Sequence, residues 1–268
     1  MVFKRIFIYA ALFILGLSFT SSVKATSVQA YQDFQFQFDI YRQIFGDYRV
    51  ALGEFKKYGS LSSEQDALEK VKTAVGQRNQ VARTYFLFLN EMLTESPSMP
   101  PAELDLYQKI ITNEIAFLDQ ETSMAPSLSS LADVEKMSSE FIKHYPILQS
   151  SYRQTIIAVQ LGYLRYFAKQ FDTLASQAQA IVNANRSSMT DTKRATLDRF
   201  ILALSNKRSL YQQKVDGVRT GTFKLTGDVA DQDRKFVVLL QDLSSARQYL
   251  GEGSSFITEI EKALTYDD

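Results

Sequence analysis

The sequence predicts an all-α fold, an elongated antiparallel bundle of about six long helices with coiled-coil-like aromatic seams. Three observations predict it. First, Tyr31, Phe34, Phe38, Tyr41, Phe45, Tyr48, Leu52 and Phe55 recur at alternating steps of three and four, which stacks eight large side chains on one helix face. Second, only 5 prolines and 11 glycines interrupt 268 residues, so long helices are favoured over many short strands. Third, a hydrophobic content of 45% is enough to bury a core, which argues against disorder.

The elements follow in order. The first helix is expected over 28–58, its aromatic seam buried against partner helices of similar length. Gly59 is expected to end it as a left-handed residue behind Lys56 and Lys57, whose charges suit a helix C-terminus. Ser60, Ser62 and Ser63 are candidate N-caps for a second helix over 63–95, with Ser62 and Gln65 at capping-box spacing. The short link makes these two helices antiparallel neighbours. Leu68, Val71, Val75, Arg78, Ala82, Tyr85, Leu89 and Met92 form the second seam. Arg78 is its polar interruption, either a buried ion pair or ligand contact, or a stem that packs while the guanidinium reaches the surface.

Pro97, Pro100 and Pro101 break the chain and open a third helix, which runs to about 122. The segment 123–130 is a loop and the place for any sub-boundary. A near-continuous helical pattern then covers 130–186, with a kink or break expected at Tyr145-Pro146. Its core side reads as Tyr152, Ile156, Val159, Tyr163, Tyr166 or Phe167, Phe171, Leu174, Ala178 and Ile181, and Ile157, Leu161 and Leu164 broaden the stripe. Thr190 or Asp191 caps a fifth helix. Gly217, Gly221 and Gly227 bracket a β-prone loop, and Asp228 opens the last long helix. That helix is expected to end or hinge at Gly251 and Gly253 before a short terminal one.

The N-terminus reads as an address. Lys4 and Arg5 precede an apolar run from Ile6 to Phe19, and Val23-Lys24-Ala25 fits a cleavage site, so residues 1–25 are expected to be a signal peptide. The run is short for a membrane span, although an uncleaved anchor is the competing reading. The rest, 26–268, is then one extracytoplasmic helical bundle, secreted or held in the periplasm or cell envelope. Without the first 25 residues the chain carries 27 basic against 30 acidic residues, so it lacks the basic surplus of a non-specific nucleic-acid binder.

Chemistry is sparse. No cysteine is present, which removes disulfides, thiolate metal sites and cysteine nucleophiles. His144 is the sole histidine, so a di-iron bundle and a zinc hydrolase both lack ligands. It is read as a histidine favoured by a nearby helix end, with Glu140 within reach one turn earlier. No Gly-x-Ser-x-Gly elbow or phosphate loop occurs. Asn185-Arg186-Ser187 matches a glycosylation sequon, which matters only in a glycosylating host.

No catalytic residue, metal or cofactor is therefore expected. Candidate ligand contacts are Arg78, Glu114, Tyr163 and Tyr166. Glu114 lies at seam spacing between Ile111 and Leu118, with a rim position expected for it. The two tyrosines are drawn from fourteen that offer flat amphipathic rings. The expected function is a non-enzymatic interaction or scaffold module with a protein partner in the cell envelope or outside. A solute-binding or sensor-like bundle with an inter-helix pocket is the alternative, and a bundle that opens onto a membrane a third.

Overall fold

A computed structural model describes residues 25–265. Among these residues the chain forms six α-helices and no strand, an all-α helical bundle as the spacing predicts. We number the helices α1 (Ala25–Tyr58), α2 (Leu61–Thr94), α3 (Pro101–Met124), α4 (Leu131–Asn185), α5 (Asp191–Thr222) and α6 (Val229–Thr265). The expected leader, apart from Ala25, lies outside the described residues. No described helix is long and apolar enough to cross a membrane.

The chain divides into two units. The first contains residues 25–159 and Phe223–Phe236; the second contains Gln160–Thr222 and residues 237–265. Helices α4 and α6 each contribute a segment to both. The 123–130 segment is a short 3-10 turn between α3 and α4, inside the first unit.

The punctuation obeys local chemistry. Gly59 adopts φ +59° and its N–H donates to Phe55 O, closing α1 as expected. Ser60 caps α2, its hydroxyl accepting from Ser63 N–H; Ser62 is already inside the helix. Thr190 accepts from Lys193 N–H and Asp228 from Asp231 N–H, the caps of α5 and α6.

Two expected breaks are absent. Helix α4 continues through Pro146. The first turn of α6 braces it there: Gln232 Nε2 donates to Pro146 O and Gly227 O at 2.9 Å each, and Gln232 Oε1 accepts from Arg153 at 2.8 Å. Arg153 also pairs with Asp233, and Ser150 donates to Leu225 O. These bonds satisfy the buried polar groups of Ser150, Arg153 and Gln232 beside the proline. The β-prone stretch after Gly221 is a turn and coil, pinned by the same contacts.

Helix α6 likewise runs straight through Gly251 and Gly253. Gly253 is a packing notch, not a hinge: a Cβ there would lie 2.7 Å from the Phe171 ring, so only glycine lets α6 approach α4 this closely. Gly221 does the same for Leu239, where a Cβ would come within 2.6 Å.

The aromatic seam of α1 departs from expectation. The covered stripe of this helix is Ser27, Ala30, Phe34, Gln37, Ile40, Tyr41, Ile44, Tyr48, Ala51, Leu52 and Phe55, so five of the eight predicted seam residues are covered and Tyr31, Phe38 and Phe45 are not. Tyr31, Phe38 and Phe45 sit on its flank with 44%, 44% and 40% of their surface open to solvent. Small side chains let helix axes come close, and Ala30 and Ala51 alternate with Phe34, Tyr41 and Tyr48 in the covered stripe. Tyr31 leans on Phe88 (5.3 Å between ring centroids) and Phe34 on Tyr85 (5.1 Å), which fixes α1 antiparallel to α2.

Candidate functional site

Seven residues of α3 separate Glu114 from Glu121, so both carboxyls lie on one face about 10 Å apart along the axis. The opposing helices supply a partner to each. Glu121 Oε2 accepts from Arg78 Nη2 of α2 at 3.0 Å. Glu114 Oε2 lies 2.8 Å from His144 Nε2 of α4, and its other oxygen accepts from Ser151 at 3.1 Å. All of this belongs to the first unit.

Arg78 is held on three sides. Its guanidinium lies over the Phe141 ring, 3.5 Å from the centroid, and donates to Asn79 Oδ1 through Nε and Nη2 at 3.1 and 3.0 Å. Asn79, buried, passes the network on to Thr122 at 3.2 Å. His144 stacks on Phe117 with centroids 3.7 Å apart, and Phe117 in turn stacks beside Phe141. The Arg78–Glu121 ion pair and the His144–Glu114 hydrogen bond are thus threaded by aromatic rings into one polar layer across α2, α3 and α4.

Burial dominates the electrostatics. Desolvation pulls the Arg78 guanidinium below its ordinary value and pushes the Glu121 carboxyl above its own, in each case against the attraction of the partner. Desolvation therefore offsets much of the attraction in this pair, which is weak evidence for net stability. Burial also pushes the Tyr152 phenol up, where the ring stacks on Phe86 at 4.3 Å.

Three sequence expectations are corrected here. Arg78 does not snorkel to the surface; it spans to Glu121, because α3 places that carboxylate within reach. Glu114 is not a rim residue but is 5% exposed. His144 is not near a helix end, since α4 does not break at Pro146, and its carboxylate partner is Glu114, while Glu140 pairs with Lys143. Tyr163 and Tyr166 belong to the second unit, both half-buried, and Tyr166 packs edge-on against Phe167.

The layer offers little to a reaction. Ser151 gives its hydrogen bond to Glu114 rather than to His144, so the hydroxyl is not addressed by the imidazole as a nucleophile would be. Among the described residues no three histidine or carboxylate side chains gather as metal ligands would.

Sequence reasoning missed Arg153 and Gln232, the buried clamp on the Pro146 turn. Neither lies on a seam. The sequence held no clear signal for them, since Arg153 stands among the polar residues Ser151, Gln154 and Thr155. Comparison with known proteins brings no match: no family model, curated protein or solved structure resembles this chain.

Proposed function

We propose that this chain is an exported, non-enzymatic interaction module that docks a partner protein on the aromatic flank of α1. The observation that carries the reading is the row Tyr31, Phe38 and Phe45, spaced by sevens and 40–44% exposed beside the stripe that packs on α2. Rings at heptad spacing are knobs for a partner helix, and aromatic side chains are the commonest anchors at protein interfaces. Export is supported by the charged and apolar leader pattern of residues 1–25. Its absence of cysteine suits a protein that needs no oxidative folding outside the cytoplasm.

The buried polar layer has a supporting part in this reading. It ties α2, α3 and α4 into a firm backing, on which α1 rests through α2 and, at Tyr48, through the cluster that Val134 and Met137 of α4 join. A rigid scaffold lowers the entropy lost when the flank is covered.

The test is a photoreactive residue placed at Phe38 in the native envelope, with Leu202, which is also exposed, as the control position. A discrete adduct at position 38 alone is expected, and it should vanish in the Tyr31→Ser/Phe45→Ser background, whose helicity stays intact. Equal labelling at both positions, or an adduct indifferent to that background, overturns the reading.

A further inference from the structure

The charges of α1 are sorted about the same row of rings. A residue four beyond a member of the row lies on its outer side, away from the stripe that packs on α2. Those positions are Gln35, Arg42, Arg49 and Lys56, one every seven residues and all exposed. A residue two beyond a member falls on the opposite flank of the covered stripe, and there stand Asp33, Asp47 and Glu54, exposed as well. Bases therefore run beside the rings and acids on the far side.

Asp39 is the exception among the acids. It lies 4.0 Å from Arg42 with both side chains 72% exposed, and a surface pair so placed contributes little. Arg49 and Lys56 make no ion pair among the described residues. From Arg42 to Lys56 is two heptads, about 21 Å of helix axis, the same rise that separates Tyr31 from Phe45. One docked helix of ordinary length can thus meet both rows.

Apolar knobs with like charges beside them at heptad spacing are the layout by which coiled-coil seams choose partners. The seam supplies contact, and the flanking charges select the sign of what docks. We propose that the partner presents an amphipathic helix with glutamate or aspartate flanking its apolar seam, and that Arg42, Arg49 and Lys56 select it. A second copy of this face fits poorly, because it would bring two basic rows into one interface. A membrane surface fits poorly too: it calls for a broad apolar face, whereas Tyr31, Phe38 and Phe45 stand in single file. The inference rests on the reading that this flank docks a protein, and adds the partner's charge.

The test keeps the photoreactive residue at position 38 in the native envelope and reverses charges around it. Arg42→Glu/Arg49→Glu should cut the adduct about tenfold, while Arg42→Lys/Arg49→Lys should keep most of it. Asp47→Lys/Glu54→Lys, on the opposite flank, should leave it unchanged. Circular dichroism verifies folding, and Arg49→Gln alone, with a smaller loss, serves if the double reversal unfolds. The crosslinked peptide, sequenced by mass spectrometry, should carry carboxylates at heptad spacing beside an apolar seam. An adduct that survives the reversal, one that falls equally in Asp47→Lys/Glu54→Lys, or a peptide without such acids overturns the partner's charge and leaves the docking reading standing. An adduct to lipid, or none in the wild type, overturns both.

Discussion

Phe38 on α1 and Phe171 on α4 occupy stripes with the same repeating steps of three and four, yet one ring is 44% exposed and the other has no exposed surface. The difference is in the neighbours. Phe171 sits where α6 offers the notch at Gly253, and α5 closes on α4 through the Asp172–Arg208 fork and the Tyr211 hydroxyl on Leu164 O. Phe38 has α2 on one side only, and its ring meets Phe34 of its own helix. A periodic stripe states which side chains share a face. How many partners cover that face is a matter of topology, which periodicity does not encode.

The largest expected effect tests that contrast directly. Phe171→Ala should cost about 3–5 kcal/mol, the range for emptying a full core site. Phe38→Ala should cost under about 1.5 kcal/mol, because much of its ring is already in water. Urea midpoints at matched m-values give both numbers. Equal costs would mean that the α1 flank is covered in solution, and the contrast would be lost.

The same two helices show how much was legible beforehand and what was not. Helix existence, number and most boundaries were readable, because the three-four spacing and the caps at Gly59, Thr190 and Asp228 act locally. The centre of the stripes was legible only in part. On α4 the expected Ile157, Val159, Leu161, Leu164, Phe171 and Ala178 are buried, joined by Ala168 and Val182, while Tyr163, Tyr166 and Phe167 lie at the edges. On α2 the expected Val71, Val75 and Leu89 are buried, but Ala67, Phe86 and Leu93 are buried rather than Leu68, Tyr85 and Met92. The tyrosines were placed too far inward, because amphipathic rings suit the margin of a contact.

The candidate site was half legible for the same reason. Arg78 and Glu114 stood out as polar residues at seam spacing, but their partners Glu121 and His144 are 43 and 30 residues away. Only the fold brings such separations together.

If small residues set the α1–α2 approach, enlarging one should hurt more than trimming a flanking ring. Ala51, 3% exposed, lies in the covered stripe near Tyr48, which packs on the cluster of Val71, Val75, Val134 and Met137. Ala51→Phe should therefore destabilise by about 1–3 kcal/mol, the usual cost of overpacking. Thermal melts of Ala51→Phe and Phe45→Ala compared side by side decide it. A neutral Ala51→Phe would show that α1 is free to shift on α2, and its covered stripe would lose its meaning.

The smallest effect concerns what holds α1 at its middle, where the stripe carries a glutamine instead of a ring. Gln77 of α2 donates through Nε2 to both Gln37 Oε1 at 2.7 Å and Gln37 O at 3.0 Å. The side-chain bond is replaceable by water in a half-buried setting, but the bond to a backbone oxygen also pins the axial position of α1. Gln77→Ala should cost about 0.5–1.5 kcal/mol, as for one ordinary hydrogen-bonded pair. Gln37→Ala, which keeps its backbone oxygen, should cost less. Hydrogen exchange sharpens the point: amides of α1 should lose protection in Gln77→Ala while those of α4 around Phe171 do not. Loss of protection spread evenly over both helices would mean that α1 unfolds only with the rest, and the one-sided packing inferred for it would be wrong.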